Sequence, residues 1–154
     1  MSVAQPRISP DGRWLYFCAT RYSCWPIYDP YSDIYGIDLE QGRQTGKFEY
    51  HKLDINSDQT ESIVNWSSNS KWIVFSSKRG TPLFTRPYLT HVAPDGKNSK
   101  PIVLPQEDPE FYDSFLFTYT LPTLATGPVS VSQKEIIRAI TTPNKPTIDV
   151  RETK

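Results

Sequence analysis

The residues best suited to bind a ligand lie in one segment, YSCWPIYDPYSD at residues 22–33. Aromatic and acidic side chains alternate there: the candidate ligand-binding residues are Trp25, Tyr28, Asp29, Tyr31 and Asp33. Exposed Trp and Tyr rings bury much area at a small entropic cost, so they anchor many binding sites. The pattern predicts a loop that contacts a peptide or a sugar. In the alternative interpretation, the loop folds back and its aromatic rings cover a neighbouring sheet.

Two carboxylates of this segment could also hold a hard cation such as Ca²⁺. Asp29 and Asp33 stand without further oxygen ligands in the run, which favours structural roles. Asp29 would then stabilise the turn before Pro30, and Asp33 the start of the next strand. No metal and no other cofactor is predicted. Cys18 and Cys24 are the only two cysteines, and they form either a disulfide, in an oxidising compartment, or two free thiols.

Motifs for catalysis are missing from the sequence. There is no Gly-x-Ser-x-Gly nucleophile turn, no His-Glu-x-x-His or Cys-x-x-Cys zinc pattern, and no glycine-rich phosphate loop. His51 and His91 are the only two histidines, and each lies on a predicted strand where surface or packing roles are usual. We therefore expect no enzymatic activity from this chain.

Charge and hydropathy exclude further classes of partner. The 154 residues include 17 basic and 17 acidic side chains, so no basic field gathers phosphates, and we expect no nucleic acid partner. No apolar run approaches the roughly 18 residues that a bilayer requires, so we expect no membrane insertion. The first residues, MSVAQP, lack the regions of a signal peptide. Either the protein is cytosolic, or a leader lies upstream of this sequence.

The elements that position these residues form a repeat. Residues 8–21 return as residues 66–79, with matching side chains at a constant offset of 58. The matched pairs are Ser9 and Ser67, Trp14 and Trp72, Phe17 and Phe75, and Arg21 and Arg79. Each copy predicts a tight turn followed by a strand rich in aromatic and apolar residues.

Around each copy the pattern predicts four strands. They cover residues 3–8, 13–20, 33–39 and 48–53 in the first unit, and 62–66, 72–77, 87–92 and 100–104 in the second. A four-stranded unit at a period near 50 is typical of a β-propeller blade. Each blade has two apolar faces that only neighbouring blades can cover. We expect Trp14, Phe17, Trp72 and Phe75 in those layers.

The predicted organisation is all-β: blades at residues 1–54 and 55–105, and a C-terminal tail at residues 106–154 whose end frays. The tail contains one short helix at residues 132–140, in which Ser132 and Glu135 form a capping box. Two blades leave two open faces. The tail, through residues 111–124, is expected to cover one of them. The other requires missing blades in the same protein, or self-association.

The two boxes SPDGRWLYF (residues 9–17) and SSNSKWIVFSSKR (residues 67–79) resemble the WD40-like, TolB-type propeller repeat. Together with DIYGIDL at residues 33–39 and LPQEDPEFYD at residues 104–113, they resemble the C-terminal part of TolB-like propeller proteins of Bacteroidetes. The resemblance implies a six-bladed propeller in the periplasm or at the outer membrane. It implies no settled activity. Since two blades are present, the chain is expected to be a fragment of a longer exported protein.

Three functions remain open. The first, which the resemblance favours, is a non-catalytic scaffold that binds protein partners. The second is a glycan- or peptide-binding propeller that acts through the aromatic loop. The third is the accessory propeller of a hydrolase whose catalytic domain lies outside this chain.

Overall fold

The computed structural model describes residues 1–22 and 24–142 and contains two four-stranded antiparallel sheets. The first sheet has the order β1 (Ser2–Ile8), β2 (Trp14–Thr20), β3 (Asp33–Asp38), β4 (Tyr50–Lys52). The second has the order β5 (Glu61–Trp66), β6 (Trp72–Ser77), β7 (Arg86–His91), β8 (Ile102–Val103). The predicted all-β class, with two units of four strands, is confirmed at this level.

Helices are short and few in the described part of the chain: α1 (Leu39–Thr45), α2 (Phe111–Ser114) and α3 (Gln133–Thr141), besides a 3₁₀ turn at Pro26–Tyr28. The predicted helix is confirmed as α3. The Ser132 side chain accepts the N–H of Glu135, and the Glu135 carboxylate accepts the N–H of Ser132 at 2.8 Å. None of these helices is both long and apolar enough to cross a bilayer. The predicted end of the tail, from residue 143 on, lies outside the described residues.

The prediction of a single helix was wrong, because α1 replaces the turn expected at residues 40–42. The Asp38 carboxylate caps this helix by accepting the N–H of Gln41 at 2.9 Å. Gly46 ends it in the left-handed conformation, with φ of 74°. Both are ordinary helix-end signals, and they shorten β3 by one residue and β4 to three residues.

The repeat extends to the hydrogen bonds of the turns. Ser9 Oγ accepts the N–H of Trp14 at 2.9 Å and donates to Asp11 Oδ1 at 2.5 Å. Ser67 makes the same two bonds in the second unit, to Trp72 at 3.0 Å and to Asn69 at 2.7 Å. The two turns therefore have the same pattern of hydrogen bonds, although the second has Asn69 at the position of Asp11.

The first strand of each sheet also carries a bulge at an equivalent place. Register shifts occur between Ala4 and Arg7 in β1 and between Ser62 and Asn65 in β5. Gln5 and Ile63, which lie within these shifts, have left-handed backbones with φ of 56° and 53°. This conformation is rare for a β-branched residue, so its recurrence at the repeat offset identifies the bulge as part of the unit.

The two sheets pack through faces that are not equivalent. We call face A the one that carries Trp14, Tyr16 and Cys18 in the first sheet and Trp72, Val74 and Ser76 in the second. Face B is the opposite one, with Leu15 and Phe17 in the first sheet and Ile73 and Phe75 in the second. One buried cluster joins face A of the first sheet to face B of the second. Its members are Trp14, Tyr16, Cys18, Ile34, Leu53, Ile55, Val64, Ile73, Phe75 and Val92.

The tail lies on face A of the second sheet, where bonds to its backbone hold it. Ser76 Oγ donates to the carbonyl of Tyr119 at 3.0 Å, and Asn65 Nδ2 donates to that of Pro122 at 2.7 Å. Val74 is buried on this face. Leu116 and Phe117, from the apolar run expected to make the contact, remain about 70% exposed.

Face B of the first sheet has no cover among the described residues. An apolar groove of about 300 Å³ runs along it. Its lining residues are Met1, Val3, Pro6, Leu15, Phe17, Ile37 and Tyr50. Val3 and Tyr50 are about 60% exposed. Face B of the first sheet is therefore open, and it is the face for which no cover within this chain was predicted.

One prediction for the packed layers was wrong. Trp72, expected to be buried like Trp14, is 38% exposed and contacts His91 edge-on at 5.1 Å between ring centroids. It lies on face A of the second sheet, where no further sheet packs in the described structure. Trp14 and Phe75 are buried between the sheets as expected, whereas Phe17 is buried on the open face B against Tyr35 and Tyr50 of its own sheet.

Candidate functional site

The segment between β2 and β3 is organised by one buried carboxylate. Asp29 accepts backbone N–H groups from Arg21 at 3.2 Å, Tyr22 at 3.4 Å and Tyr31 at 2.9 Å. These three donors lie at the two ends of the segment, so Asp29 draws the ends together. This is the structural role that the sequence analysis set against metal binding.

The segment is also fastened to the chain that enters the second sheet. Pro26 and Ile27 of the 3₁₀ turn are buried. Thr60 Oγ1 donates to the carbonyl of Asp29 at 3.0 Å, and Ser32 Oγ donates to that of Glu61 at 2.7 Å. The loop is therefore a packed part of the structure whose exposed side chains are held in place.

The aromatic side chains of the loop point away from this anchor. Trp25 is 63% exposed, Tyr28 76% and Tyr31 58%. These rings do not cover a neighbouring sheet, and their binding of a peptide or a sugar stays a prediction. The loop folds back, but through Pro26 and Ile27, and its three predicted aromatic residues stay on the surface.

Beside the loop lies a cleft of about 440 Å³. Tyr31 and Asp33 line it, while Trp25 and Tyr28 do not, and Asp29 is buried. The polar and aromatic residues added by the fold are Thr20, Arg21, Tyr35, Lys52, Ser57, Asp58 and Gln59. The sequence analysis missed these residues because most come from β3, β4 and the segment before β5, and no local pattern connects them with the loop.

Charges in the cleft are arranged in two pairs. The guanidinium of Arg21 lies over the ring of Tyr31, 4.2 Å from its centroid. Lys52 Nζ forms an ion pair with Asp33 Oδ2 at 2.7 Å. Among the described residues, no acceptor takes a hydrogen bond from the Arg21 guanidinium, and Arg21 lines the cleft, so its donors are available to a ligand there. Asp33 therefore positions Lys52, and Tyr31 positions Arg21.

A second polar cluster, at the junction of the sheets, is fully paired. The Glu61 side chain is wholly buried, and its Oε1 accepts from Ser57 at 2.6 Å, Ser77 at 2.7 Å and Arg79 at 2.9 Å. The Arg79 guanidinium also lies over the ring of Tyr88 at 4.8 Å. With every acceptor position used inside the protein, this cluster holds the junction and offers nothing to a ligand.

The two cysteines are separate free thiols. Cys18 is buried on face A, where its sulfur accepts the N–H of Ile63 at 3.3 Å, and Cys24 is exposed. Burial raises the pKa of the Cys18 thiol to about 11, which keeps it protonated and unreactive near neutral pH. Among residues 1–22 and 24–142, no three His, Cys, Asp or Glu side chains group as a metal site.

Comparison with known proteins gives no identification. No family model matches the chain, and neither a curated protein nor a solved structure matches it. The relation to TolB-like propellers therefore stays a prediction from the two repeated boxes.

Proposed function

We propose that this chain is a non-catalytic interaction module: two consecutive blades of a TolB-like propeller that belong to a longer exported protein. The observation that supports the proposal is the packing of face A of one repeat on face B of the next. Stacking non-equivalent faces can continue from one unit to another, whereas packing of equivalent faces would stop at a pair.

The occupant of the open groove follows from the same observation. In the second sheet, face B is covered by Trp14, Tyr16 and Cys18 of the neighbouring sheet. The repeat-equivalent face of the first sheet carries Leu15 and Phe17, beside the exposed Val3. We therefore assign this face to another four-stranded unit of the same repeat, presenting an aromatic face A. A location in the periplasm or at the outer membrane is part of the proposal and rests on the resemblance alone.

Sedimentation and binding of an apolar dye test this assignment on the purified chain. The open face should bind dye and drive reversible self-association, and Val3→Asp should suppress both. Leu83→Asp is the matched control, because Leu83 is 73% exposed and lies outside the groove. A chain that stays monomeric at high concentration and binds no dye would contradict the proposal. Another box of the SPDG type upstream in the coding sequence would identify the occupant.

A second candidate function is the binding of a glycan or a peptide at the loop. The observation that favours it is the cleft, in which the guanidinium of Arg21 lies over the exposed Tyr31 ring on a loop fastened by Asp29. Screening the chain against glycans and short peptides tests it. Binding that is lost in Tyr31→Ala would support the candidate.

A further inference from the structure

We propose that the cleft beside Tyr31 binds a carbohydrate that carries a carboxylate. The inference rests on the second candidate function and names the ligand class for it. It does not depend on what covers face B of the first sheet.

Arg21 is the group that recognises the acid. A guanidinium is a rigid fork of donors that matches the two oxygens of a carboxylate. In this cleft one contact restrains the fork: the Tyr31 ring lies under the guanidinium at 4.2 Å. Asp29 holds the backbone at the base of the side chain by accepting the N–H of Arg21. Because part of the side-chain freedom is already lost, a carboxylate bound here gains more than at an arginine without such a contact.

The remaining polar groups suit hydroxyls. The ammonium of Lys52 is already paired with Asp33 at 2.7 Å and keeps donors for a neutral oxygen. Gln59 offers an amide that both donates and accepts, and Asp58 is an exposed acceptor. The high dielectric constant of water weakens the repulsion between Asp58 and an acidic ligand at such an exposed site. Hydrogen-bond donors and acceptors therefore both line the cleft. This suits the hydroxyls of a sugar, because each hydroxyl can donate and accept.

Shape favours a sugar ring over a peptide. A peptide in an extended conformation is usually recognised by a row of main-chain partners or by apolar pockets for alternate side chains. The polar side chains that line this cleft are instead charged groups, an amide and the hydroxyls of Thr20 and Ser57, and its aromatic walls are Tyr31 and Tyr35. A pyranose has apolar C–H faces for an aromatic ring and polar edges for the groups around it. A cleft of about 440 Å³ lies within the usual range for small ligands.

Calorimetric titration of the whole chain tests the inference with two matched probes, trigalacturonate and galactotriose. At low salt we expect the acidic probe to bind roughly tenfold tighter, or more, because a charge-assisted bond to Arg21 is added. Arg21→Gln should bring the acidic probe down to the affinity of the neutral one, and Tyr31→Ala should weaken both. Arg138→Gln, which changes an exposed arginine of α3 outside the cleft, should change nothing. Urea midpoints confirm that each variant is folded.

Four results would overturn the inference. The first is equal binding of the two probes, which leaves the ligand-binding candidate in place. The second is a preference for the acidic probe that survives Arg21→Gln. The third is binding of a short peptide that begins with N-acetylglutamate as tightly as trigalacturonate, which shows a general carboxylate site. The fourth is a failure of every glycan and peptide to bind, which removes the ligand-binding candidate as well.

Discussion

The two sheets have the same strand order, the same turn bonds and the same bulge, yet equivalent positions differ sharply in burial. Trp14 is 6% exposed and Trp72 is 38% exposed. The turn at Gly96, from the second sheet, lies so close over the Trp14 ring that a Cβ on Gly96 would come within 2.3 Å of it. Trp72 has no such turn above it in the described structure. Burial in this repeat is therefore decided by the next unit.

At another pair of equivalent positions, the two sheets carry residues of opposite polarity. Val3 in β1 is 60% exposed, whereas Glu61 in β5 is wholly buried. Glu61 lies at the junction, where Arg79 and two serines satisfy its carboxylate. Val3 lies at the open groove. An exposed apolar residue and a buried acid therefore occupy equivalent positions. The repeat determines the backbone conformation, while the neighbouring unit determines which type of side chain suits each position.

The largest expected effect is on the tryptophan pair. Trp14→Ala should lower the free energy of unfolding by about 3–5 kcal/mol, since it empties a packed aromatic site. Trp72→Ala should cost about 1–2 kcal/mol, because its ring is already partly in water. Urea midpoints of the two variants measure the difference. Equal losses would mean that the equivalent positions share one environment after all.

The junction cluster gives the next effect. Glu61→Gln keeps the size of the side chain but removes its charge from Arg79, and should cost about 2–3 kcal/mol. Val3→Ala, at the equivalent position of the first sheet, should change stability by less than about 0.5 kcal/mol. Thermal unfolding of both variants decides this. If Glu61→Gln leaves the stability unchanged, the contacts of the Arg79 guanidinium with the rings of Phe75 and Tyr88 are sufficient to hold it without the carboxylate.

Cys18 and Ser76 are equivalent on face A, and only the thiol makes stability depend on pH. Its pKa rises from 9.0 in the unfolded chain to about 11 in the folded one because of burial. The folded state therefore keeps its proton more firmly, and stability falls as pH rises through this window. The loss should amount to about 1–3 kcal/mol.

Cys18→Ala tests that assignment. It should reduce the slope of the stability profile between pH 9 and 11, most clearly below pH 10, whereas Cys24→Ala, at an exposed site, should leave the profile unchanged. Burial also raises the pKa of Tyr16, from 10.0 to about 12, so a decline between about pH 10 and 12 is expected in every variant. A profile for Cys18→Ala that matches the parent protein would contradict the role of the thiol.

The smallest expected effect concerns the two turns. Gly12 and Ser70 are equivalent and have left-handed backbones, with φ of 76° and 59°. Gly12→Ser makes the first turn like the second and should cost about 1 kcal/mol, since a side chain disfavours this conformation. Ser70→Gly relieves that strain but loses the bond that Ser70 Oγ accepts from the N–H of Asp11 at 2.9 Å. We expect little net change, and chemical unfolding of the pair measures both.

Much of the fold could be predicted because its signals are local. The boxes at residues 9–17 and 67–79 carry turn and strand together, and Ser132 with Glu135 marks α3. The missed helix α1 also had local signals, in Asp38 and Gly46, but the alternation of residues 33–39 outweighed them. The exposure of Trp72 could not be predicted, since it depends on which unit comes next.

The candidate site could be predicted only in its loop. Aromatic residues in a segment rich in turn formers indicated Trp25, Tyr28 and Tyr31, and their exposure depends on Pro26 and Ile27 taking the buried places. The cleft itself joins Arg21 and Tyr31 to Lys52 and Asp58, which come from other parts of the chain. Such a juxtaposition arises from strand pairing and from the path of the connecting segment, and no spacing in the sequence expresses it.

The way in which the tail is held has a consequence for native-state fluctuations. Asn65, Ser76 and Thr85 hold it by bonds to backbone carbonyls, while Leu116, Phe117 and Leu121 face the solvent. A segment that buries few apolar side chains opens at a lower free energy than the sheets beneath it. The tail should therefore detach as a unit before global unfolding, its amide hydrogens exchanging early and proteases cleaving it first. Each opening would give water access to Val74. The second sheet would then transiently expose an apolar surface that can associate with other molecules.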